Sequence, residues 1–229
     1  MVDSLLHQGK RRQLIKSLSS KYPFPDSILE ALYRVPRHLF LEKGLDNLAY
    51  LDKPLPIGCK QTISQPFTVA MQTHLLCEVV GKFQKVLEIG TGCGYQSAVL
   101  AQMGLRVYTI ERQRELSLLA QKNLTKLDYH TILTHYGDGF EGMPKFAPFK
   151  GILVTCGAPE IPEKLLFQLE VGGRMVIPCG VESQTMITVD RISEKRITVH
   201  RSDVLITNLT NGLILDVNSL PENFDVRIV

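Results

Sequence analysis

The residues best suited to chemistry lie at 86–95, where an apolar run ends in a carboxylate and a glycine-rich turn follows. The next segment, 96–101 (QSAVLA), has a composition that favours a helix. Strand, tight turn and helix in this order are typical of the first unit of a nucleotide-binding α/β fold. Gly90, Gly92 and Gly94 allow positive φ angles and let a ligand approach the backbone closely.

The spacing of these glycines and two nearby carboxylates favour S-adenosylmethionine as the ligand. A dinucleotide site usually has the motif G-x-G-x-x-G, which places a pyrophosphate at a helix N-terminus, whereas this turn is G-x-G-x-G. Glu88 ends the first strand, where a carboxylate suits a cationic or amine-bearing ligand better than a diphosphate. Glu111 follows the first glycine by about 20 residues, the position of an acidic residue that binds ribose hydroxyls. We expect both carboxylates to face the cofactor.

From residue 85 the hydrophobic pattern alternates between strands and helices, which predicts a mostly parallel sheet with helices on both faces. The predicted strands cover 85–89, 106–110, 131–135, 150–155 and 174–179, the last beginning at Gly172-Gly173. The predicted helices cover 94–103, 113–127 and 162–169. Two antiparallel strands, 185–191 and 196–205, are expected to follow, and the tail from 211 is expected to be a loop. The fold class is therefore α/β, Rossmann-like, as in class I methyltransferases.

The N-terminal part is predicted to be a helical addition to this core. Helices are expected at 4–20 and 27–34, the second capped by Asp26, and the segment 44–63 is rich in turns. Ser64 occupies the position expected of an N-cap for a helix that runs to about Val80. This segment is either simply a capped helix or a cap region that faces the cofactor, and the pattern alone leaves both interpretations open.

Composition sets the remaining expectations for the 229-residue chain, which we interpret as one domain with regions 1–80, 81–180 and 181–229. A net charge of +3 indicates neither a nucleic-acid groove nor a membrane patch, and 10–12 (KRR) is interpreted as a solvated helix face. No apolar run approaches a membrane span and no signal peptide is recognisable. Five cysteines without a C-x-x-C pair predict reduced thiols and no metal site. We expect a cytoplasmic monomer.

Several stretches together resemble one family, the protein-L-isoaspartate O-methyltransferases, and particularly its bacterial form. The stretches lie in the right order and are 35–40 (VPRHLF), 61–66 (QTISQP), 86–92 (VLEIGTG), Asp138-Gly139 and 152–162 (ILVTCGAPEIP). The glycine turn is common to many methyltransferases, whereas the segment 61–66 (QTISQP) is far more specific to this family. The resemblance covers about residues 10–210.

The resemblance implies methyl transfer from S-adenosylmethionine to the α-carboxyl of L-isoaspartyl residues, leaving S-adenosylhomocysteine. The methyl ester then closes to a succinimide without an enzyme, and hydrolysis returns some normal aspartate. The implied partners are isoaspartyl-containing proteins and peptides. A carboxylate is already ionised near pH 7, so this reaction needs alignment of oxygen, methyl carbon and sulfur more than it needs a base.

The resemblance also assigns roles to individual residues. Ser64 corresponds to the active-site serine between cofactor and acceptor carboxyl, Glu111 to the ribose ligand, and Thr210 to a threonine that closes over the cofactor. Asp138 and Gly139 correspond to the adenine side. The full implied cofactor set is Ile63, Gln65, Glu88, Gly90, Gly92, Gly94, Glu111, Arg112, Asp138, Gly139 and Thr210.

Two features depart from the family pattern. Cys93 stands where a hydroxyl residue is common, and the residues after 211 do not match the family ending. Three other functions remain open at this point: a class I methyltransferase acting on a small molecule or RNA, a nicotinamide-dependent oxidoreductase, and a cofactor-binding scaffold without catalysis.

Overall fold

An eight-stranded sheet and a separate hairpin make up the β structure, seen in a computed structural model that describes residues 2–180, 184–205 and 223–229. In chain order the strands are β1 (Leu55–Gly58), β2 (Gln61–Ile63), β3 (Lys85–Ile89), β4 (Arg106–Glu111), β5 (Leu133–Tyr136), β6 (Phe149–Val154), β7 (Leu169–Cys179), β8 (Thr185–Ser193), β9 (Arg196–Leu205) and β10 (Asp225–Ile228). The large sheet has the order β10-β9-β8-β7-β6-β3-β4-β5, and β1 pairs only with β2.

The pairing directions divide the large sheet into two parts. Strands β3 to β7 are parallel, whereas β8 and β9 form an antiparallel addition and β10 returns parallel to β9. The order reverses between β3 and β6, which lie side by side although two βα units separate them in the chain. Ligands of such sheets bind at the carboxyl ends of the strands near this reversal. The predicted α/β fold class is confirmed.

The described chain has six α-helices. They are α1 (Leu5–Lys21), α2 (Asp26–Arg34), α3 (Pro66–Cys77), α4 (Tyr95–Gln102), α5 (Arg114–Lys126) and α6 (Glu163–Gln168). Successive side chains of a strand point to opposite faces, so β3 supplies Val86 to one hydrophobic core and Leu87 and Ile89 to the other. Residues of α1 to α5 contribute to the first core and those of α6 to the second. None of the helices described is long and apolar enough to cross a membrane.

Two predicted helix caps are wrong. Asp26 lies inside the first turn of α2, whose N-cap is Pro25. Gln65, rather than Ser64, is the N-cap of α3, and neither side chain bonds to the helix end. The carboxylate of Asp52 accepts the Phe67 N–H instead, at 2.9 Å. Because Asp52 comes from a loop far ahead in the chain, no local pattern could reveal it.

Other boundaries also differ from the prediction. Helix α3 ends at Cys77, and β7 begins at Leu169 and runs through the two glycines that were expected to start it. The turn-rich segment contains the β1–β2 hairpin, and the tail contains β10. Both missed elements are short, and β10 depends on pairing with β9, which is distant in the chain.

The basic cluster at the N-terminus is not a fully solvated helix face, as was predicted. Arg11 is buried, and its guanidinium donates to the Asp3 carboxylate at 2.9 Å and to the Tyr50 hydroxyl at 3.0 Å. The side chain therefore ties the start of α1 to a later loop, which is a structural contact and leaves Lys10 and Arg12 as the outer members of the cluster.

Candidate active site

A cavity of about 350 Å³ opens at the carboxyl ends of β3, β4 and β6, where the topology predicts a ligand site. Eight of the residues predicted from the sequence line it: Ile63, Ser64, Gly90, Gly92, Glu111, Arg112, Asp138 and Gly139. These residues come from four separate segments of the chain. The fold therefore brings together residues that are up to 76 positions apart in the sequence, from Ile63 to Gly139.

The floor of the cavity is the glycine turn. Gly90 and Gly92 have φ values of 94° and 56°. A Cβ at Gly90 would lie 2.7 Å from the Thr155 hydroxyl oxygen, which itself donates to the Gly90 carbonyl at 2.6 Å. Bare backbone is therefore required here, and a ligand can lie directly against it.

Glu111 holds the turn in place and faces the cavity. One carboxylate oxygen accepts the Gly92 N–H at 2.9 Å and the other accepts the Gln113 N–H at 2.8 Å. A carboxylate oxygen has two lone-pair sites, so each retains one for a further donor. Two neighbouring hydroxyls of a ribose are donors of this kind, in agreement with the position of Glu111 about 20 residues after the first glycine.

The outer wall carries Arg112, Asp138 and Gly139. Arg112 and Asp138 are exposed at the rim, and an Asp138 oxygen accepts the Phe140 N–H at 3.0 Å. Any side chain at Gly139 would collide with Ile89. The turn is thus shaped by its own hydrogen bond and by the strand below it, and the second Asp138 oxygen remains for a ligand.

Ser64 lies on the opposite wall, between β2 and α3, and is half-buried. Its hydroxyl has no hydrogen-bond partner within the described part of the chain, because Asp52 serves the helix end. A hydroxyl released from capping is available to a group in the cavity.

Glu88 does not face the cavity, contrary to the prediction. Its side chain is fully buried, Thr109 donates to its Oε2 at 2.7 Å, and Ser97 donates to the same oxygen. Burial raises the pKa of Glu88 to about 7, since an anion loses its hydration there. The side chain alternation on β3 turns this residue toward α4 and leaves Ile89 to face the cavity.

Of the predicted residues that the structure describes, Gln65 and Gly94 are also absent from the cavity wall. Gln65 is the N-cap of α3. Gly94 is the N-cap of α4 with φ of 91°, and a Cβ there would lie 3.1 Å from Leu124. Thr210 lies outside the described residues.

Sequence reasoning missed the contribution of the β1–β2 hairpin. Ile57, Gln61 and Thr62 from this hairpin line the cavity beside Ser64. Its turn residues, Cys59 and Lys60, have φ values of 49° and 57°. Two-residue hairpins of this kind usually carry Asn-Gly, so the usual sequence signal is missing.

A sequence profile described as "Protein-L-isoaspartate(D-aspartate) O-methyltransferase" matches residues 9–212. The chain belongs to this family. Among relatives of the family, it is 50% identical over 195 residues to the protein-L-isoaspartate O-methyltransferase of Christiangramia forsetii, covering 85% of this chain and 91% of the relative. It is 48% identical over 200 residues to the protein of the same name from Flavobacterium johnsoniae, covering 87% and 93%.

Structural comparison agrees with the family assignment. A solved protein-L-isoaspartate O-methyltransferase superimposes with a TM-score of 0.78 at 29% sequence identity, over 90% of this chain and 67% of that one. The isoaspartate methyltransferase family uses S-adenosylmethionine, and the cavity fits this group: Gly90 and Gly92 present bare backbone, and Glu111 keeps acceptors for ribose hydroxyls. The Glu111 carboxylate would accept hydrogen bonds from the hydroxyls of an adenosine but would repel a pyrophosphate. The lack of side chains on the glycine turn leaves room for the adenosine.

Proposed function

We propose that the protein transfers a methyl group from S-adenosylmethionine to the α-carboxyl of L-isoaspartyl residues in damaged proteins and peptides. The observation that carries this proposal is the shared cavity of Ser64 and the glycine turn, in which the serine hydroxyl is free of the α3 cap. The serine thus has a cofactor cradle opposite it and an open hydroxyl toward an acceptor.

On the cofactor side, the Glu111 carboxylate would accept the two ribose hydroxyls, while the N–H groups of Gly92 and Gln113 that donate to it hold the turn. Asp138 accepts from the adenine amino group with the oxygen that Phe140 does not use. When bound, the cofactor supplies a methyl carbon made electrophilic by its sulfonium. Ile63 and Arg112 close the sides of the same site.

On the acceptor side, the protein has to hold a carboxylate that is ionised at neutral pH. Ser64 would donate its hydroxyl to one carboxylate oxygen and leave the other free to face the cofactor. The neighbouring cavity residues Gln61 and Thr62 are uncharged, so they do not repel the acceptor. Catalysis then comes from orientation, and no residue has to act as a strong base.

The product ester closes to a succinimide and returns toward aspartate, so the partners are isoaspartyl-containing segments of other proteins. We place the protein in the cytoplasm as a monomer of one domain, with 1–80 covering the site and with strands β8 to β10 of the C-terminal region extending the sheet. All five cysteines are free thiols, which suits a reducing compartment.

The test is methyl transfer from labelled S-adenosylmethionine to two peptides that differ only in an isoaspartyl or aspartyl linkage. We expect base-labile label on the isoaspartyl peptide alone. Ser64→Ala should lower kcat by about ten- to a hundredfold, the value of a hydrogen bond to a charged group, with cofactor affinity nearly unchanged. Equal labelling of both peptides would overturn the proposed specificity. If the protein bound the cofactor but labelled neither peptide, the result would favour a methyltransferase that acts on a small molecule or RNA.

A further inference from the structure

Glu88 is a buried carboxyl with unequal hydrogen bonding. Thr109 and Ser97 both donate to Oε2, whereas Oε1 is buried and has no partner among the described residues. A buried carboxylate is strongly disfavoured unless donors or a cation offset its charge. One oxygen of Glu88 is supplied with donors and the other is not, which favours a proton on Oε1.

No charged group among the described residues around Glu88 offsets its charge. The charged side chain that acts on it from β4 is Glu111, which is itself negative and therefore opposes ionisation. The glycine turn contributes Cys93, a thiol whose own pKa burial raises to about 11, so that it is neutral. On β6 the residue in register is Leu153. The described residues thus place no cation against Glu88, and burial raises its pKa to about 7.

A chain of hydroxyls connects this carboxyl to the cavity. The Thr109 hydroxyl has a single proton, which it donates to Glu88, so in its 2.7 Å contact with Thr91 the Thr91 hydroxyl must be the donor. Thr91 lines the cavity. An ionised Glu88 polarises the chain and makes the Thr91 oxygen a better acceptor, because hydrogen bonds in series reinforce one another.

The cofactor and its product differ in charge. S-adenosylmethionine carries a sulfonium that S-adenosylhomocysteine lacks, while both retain the same ammonium and carboxylate. A positive charge brought into the cavity stabilises an anion below its floor far better than the same charge would in water.

We propose that Glu88 senses the charge of the cofactor: it is protonated before the cofactor binds, and S-adenosylmethionine binding releases that proton to solvent. The inference rests on the proposed function only in taking S-adenosylmethionine as the cofactor. The O–H bond of the Glu88 carboxyl breaks, the electron pair stays on the carboxylate, and the proton leaves to buffer. S-adenosylhomocysteine brings no sulfonium and leaves Glu88 protonated.

The affinity of the two molecules must then depend differently on pH. S-adenosylmethionine binds more tightly as pH rises toward about 7 and its affinity levels off above, with about a tenfold gain for each unit by which it lowers the Glu88 pKa. S-adenosylhomocysteine lacks this gain. The cofactor therefore displaces its product more effectively above neutrality. The α-amino group titrates in both molecules, but at a lower pH in S-adenosylmethionine, because its sulfonium disfavours a second positive charge. The Glu88→Gln variant, and not the ratio of affinities, therefore separates this titration from that of Glu88.

The experiment is isothermal titration calorimetry of the full chain at pH 6.5 and pH 8.5, in buffers of different ionisation enthalpy, with each molecule and no acceptor peptide. We expect a substantial fraction of one proton released per S-adenosylmethionine at pH 6.5, little at pH 8.5, and little for S-adenosylhomocysteine at either pH. Equal proton release for both molecules, or none for S-adenosylmethionine, would overturn the proposal without any variant.

Two variants test the assignment to this carboxyl. Glu88→Gln copies the protonated form, so it should abolish the proton release and lower affinity for S-adenosylmethionine at pH 8.5 about tenfold, with S-adenosylhomocysteine unaffected. Thr109→Val keeps the shape but removes a bond that lowers the Glu88 pKa, so proton release should persist to higher pH. Release that survives in Glu88→Gln would show that another group titrates. Isoaspartyl labelling is measured separately, so failure here leaves the proposed function standing.

Discussion

The Thr155 hydroxyl donates to the Gly90 carbonyl at 2.6 Å, and its oxygen lies 2.7 Å from the point where a side chain at Gly90 would begin. The carboxyl end of β6 therefore shapes the glycine turn that follows β3. Two strands that are adjacent in the sheet, but distant in the chain, hold the floor of the cavity between them.

Gly90→Ala should remove cofactor binding. The φ of 94° strains any L-residue, and the new methyl group would displace Thr155. Gly104→Ala is the matched control, because its φ of 83° is similar while its neighbour is the Lys82 side chain. Both variants should lower the melting temperature, but only Gly90→Ala should lose S-adenosylhomocysteine affinity in calorimetry. Equal losses of affinity would mean that backbone strain, and not the cavity floor, determines binding.

Glu111→Gln should weaken cofactor binding about ten- to a hundredfold. Both carboxylate oxygens accept a backbone N–H, from Gly92 and Gln113, and an amide can replace only one of these acceptors. The remaining N–H would meet the amide NH2, so the turn would shift and one ribose acceptor would be lost. Glu115→Gln, in the first turn of α5, is the control and should bind S-adenosylhomocysteine like the wild type. An unaltered affinity of Glu111→Gln would exclude the ribose assignment.

Stability should depend on pH through Glu88. Its pKa rises from 4.5 to about 7 on folding, so the folded state holds more protons than the unfolded state between these values. The free energy of unfolding therefore falls as pH rises from about 4.5 to 7, by roughly 3 kcal/mol from this group. In urea unfolding, Glu88→Gln should match the wild type near pH 4 and exceed it by about this amount at pH 8. If the stability difference between Glu88→Gln and the wild type were the same at both pH values, the raised pKa of Glu88 in the folded state would be contradicted.

Features of the fold that depend on neighbouring residues could be predicted from the sequence, whereas features that depend on contacts between distant residues could not. The βα alternation from β3 to β7 was predictable because its apolar runs are bounded by glycines and charges, which are local signals. The wall residue Ser64 was identified through family resemblance, but its freedom from capping depends on Asp52, which contacts the helix from a loop. No periodicity could predict that contact.

The orientation of Glu88 shows a second limit. A buried parallel strand is apolar on both faces, so β3 lacks the alternation that would have assigned its side chains to one face or the other. The position of a carboxylate before a glycine turn suggested a cavity ligand, whereas the pleat directs it to the hydroxyls of Ser97 and Thr109. The sequence identified Glu88 as a carboxylate next to the glycine turn, but it did not show from which face of β3 the side chain projects.

The β1–β2 turn should be a site of stored strain. Cys59 and Lys60 both have positive φ, in the left-handed region that costs an L-residue about 1–2 kcal/mol. Lys60→Gly removes this cost at one position. Glycine also increases the freedom of the unfolded chain, which offsets part of the gain, so the free energy of unfolding measured in urea should rise by about 1 kcal/mol.

Lys60→Ala is the control: it removes the same exposed charge but keeps the strain, and it should leave stability unchanged. If Lys60→Ala stabilised the protein as much as Lys60→Gly, charge rather than backbone conformation would explain the effect. Because this hairpin also carries Gln61 and Thr62 on the cavity wall, the stabilised variant should retain methyl transfer to isoaspartyl peptide, provided that the hairpin keeps its register.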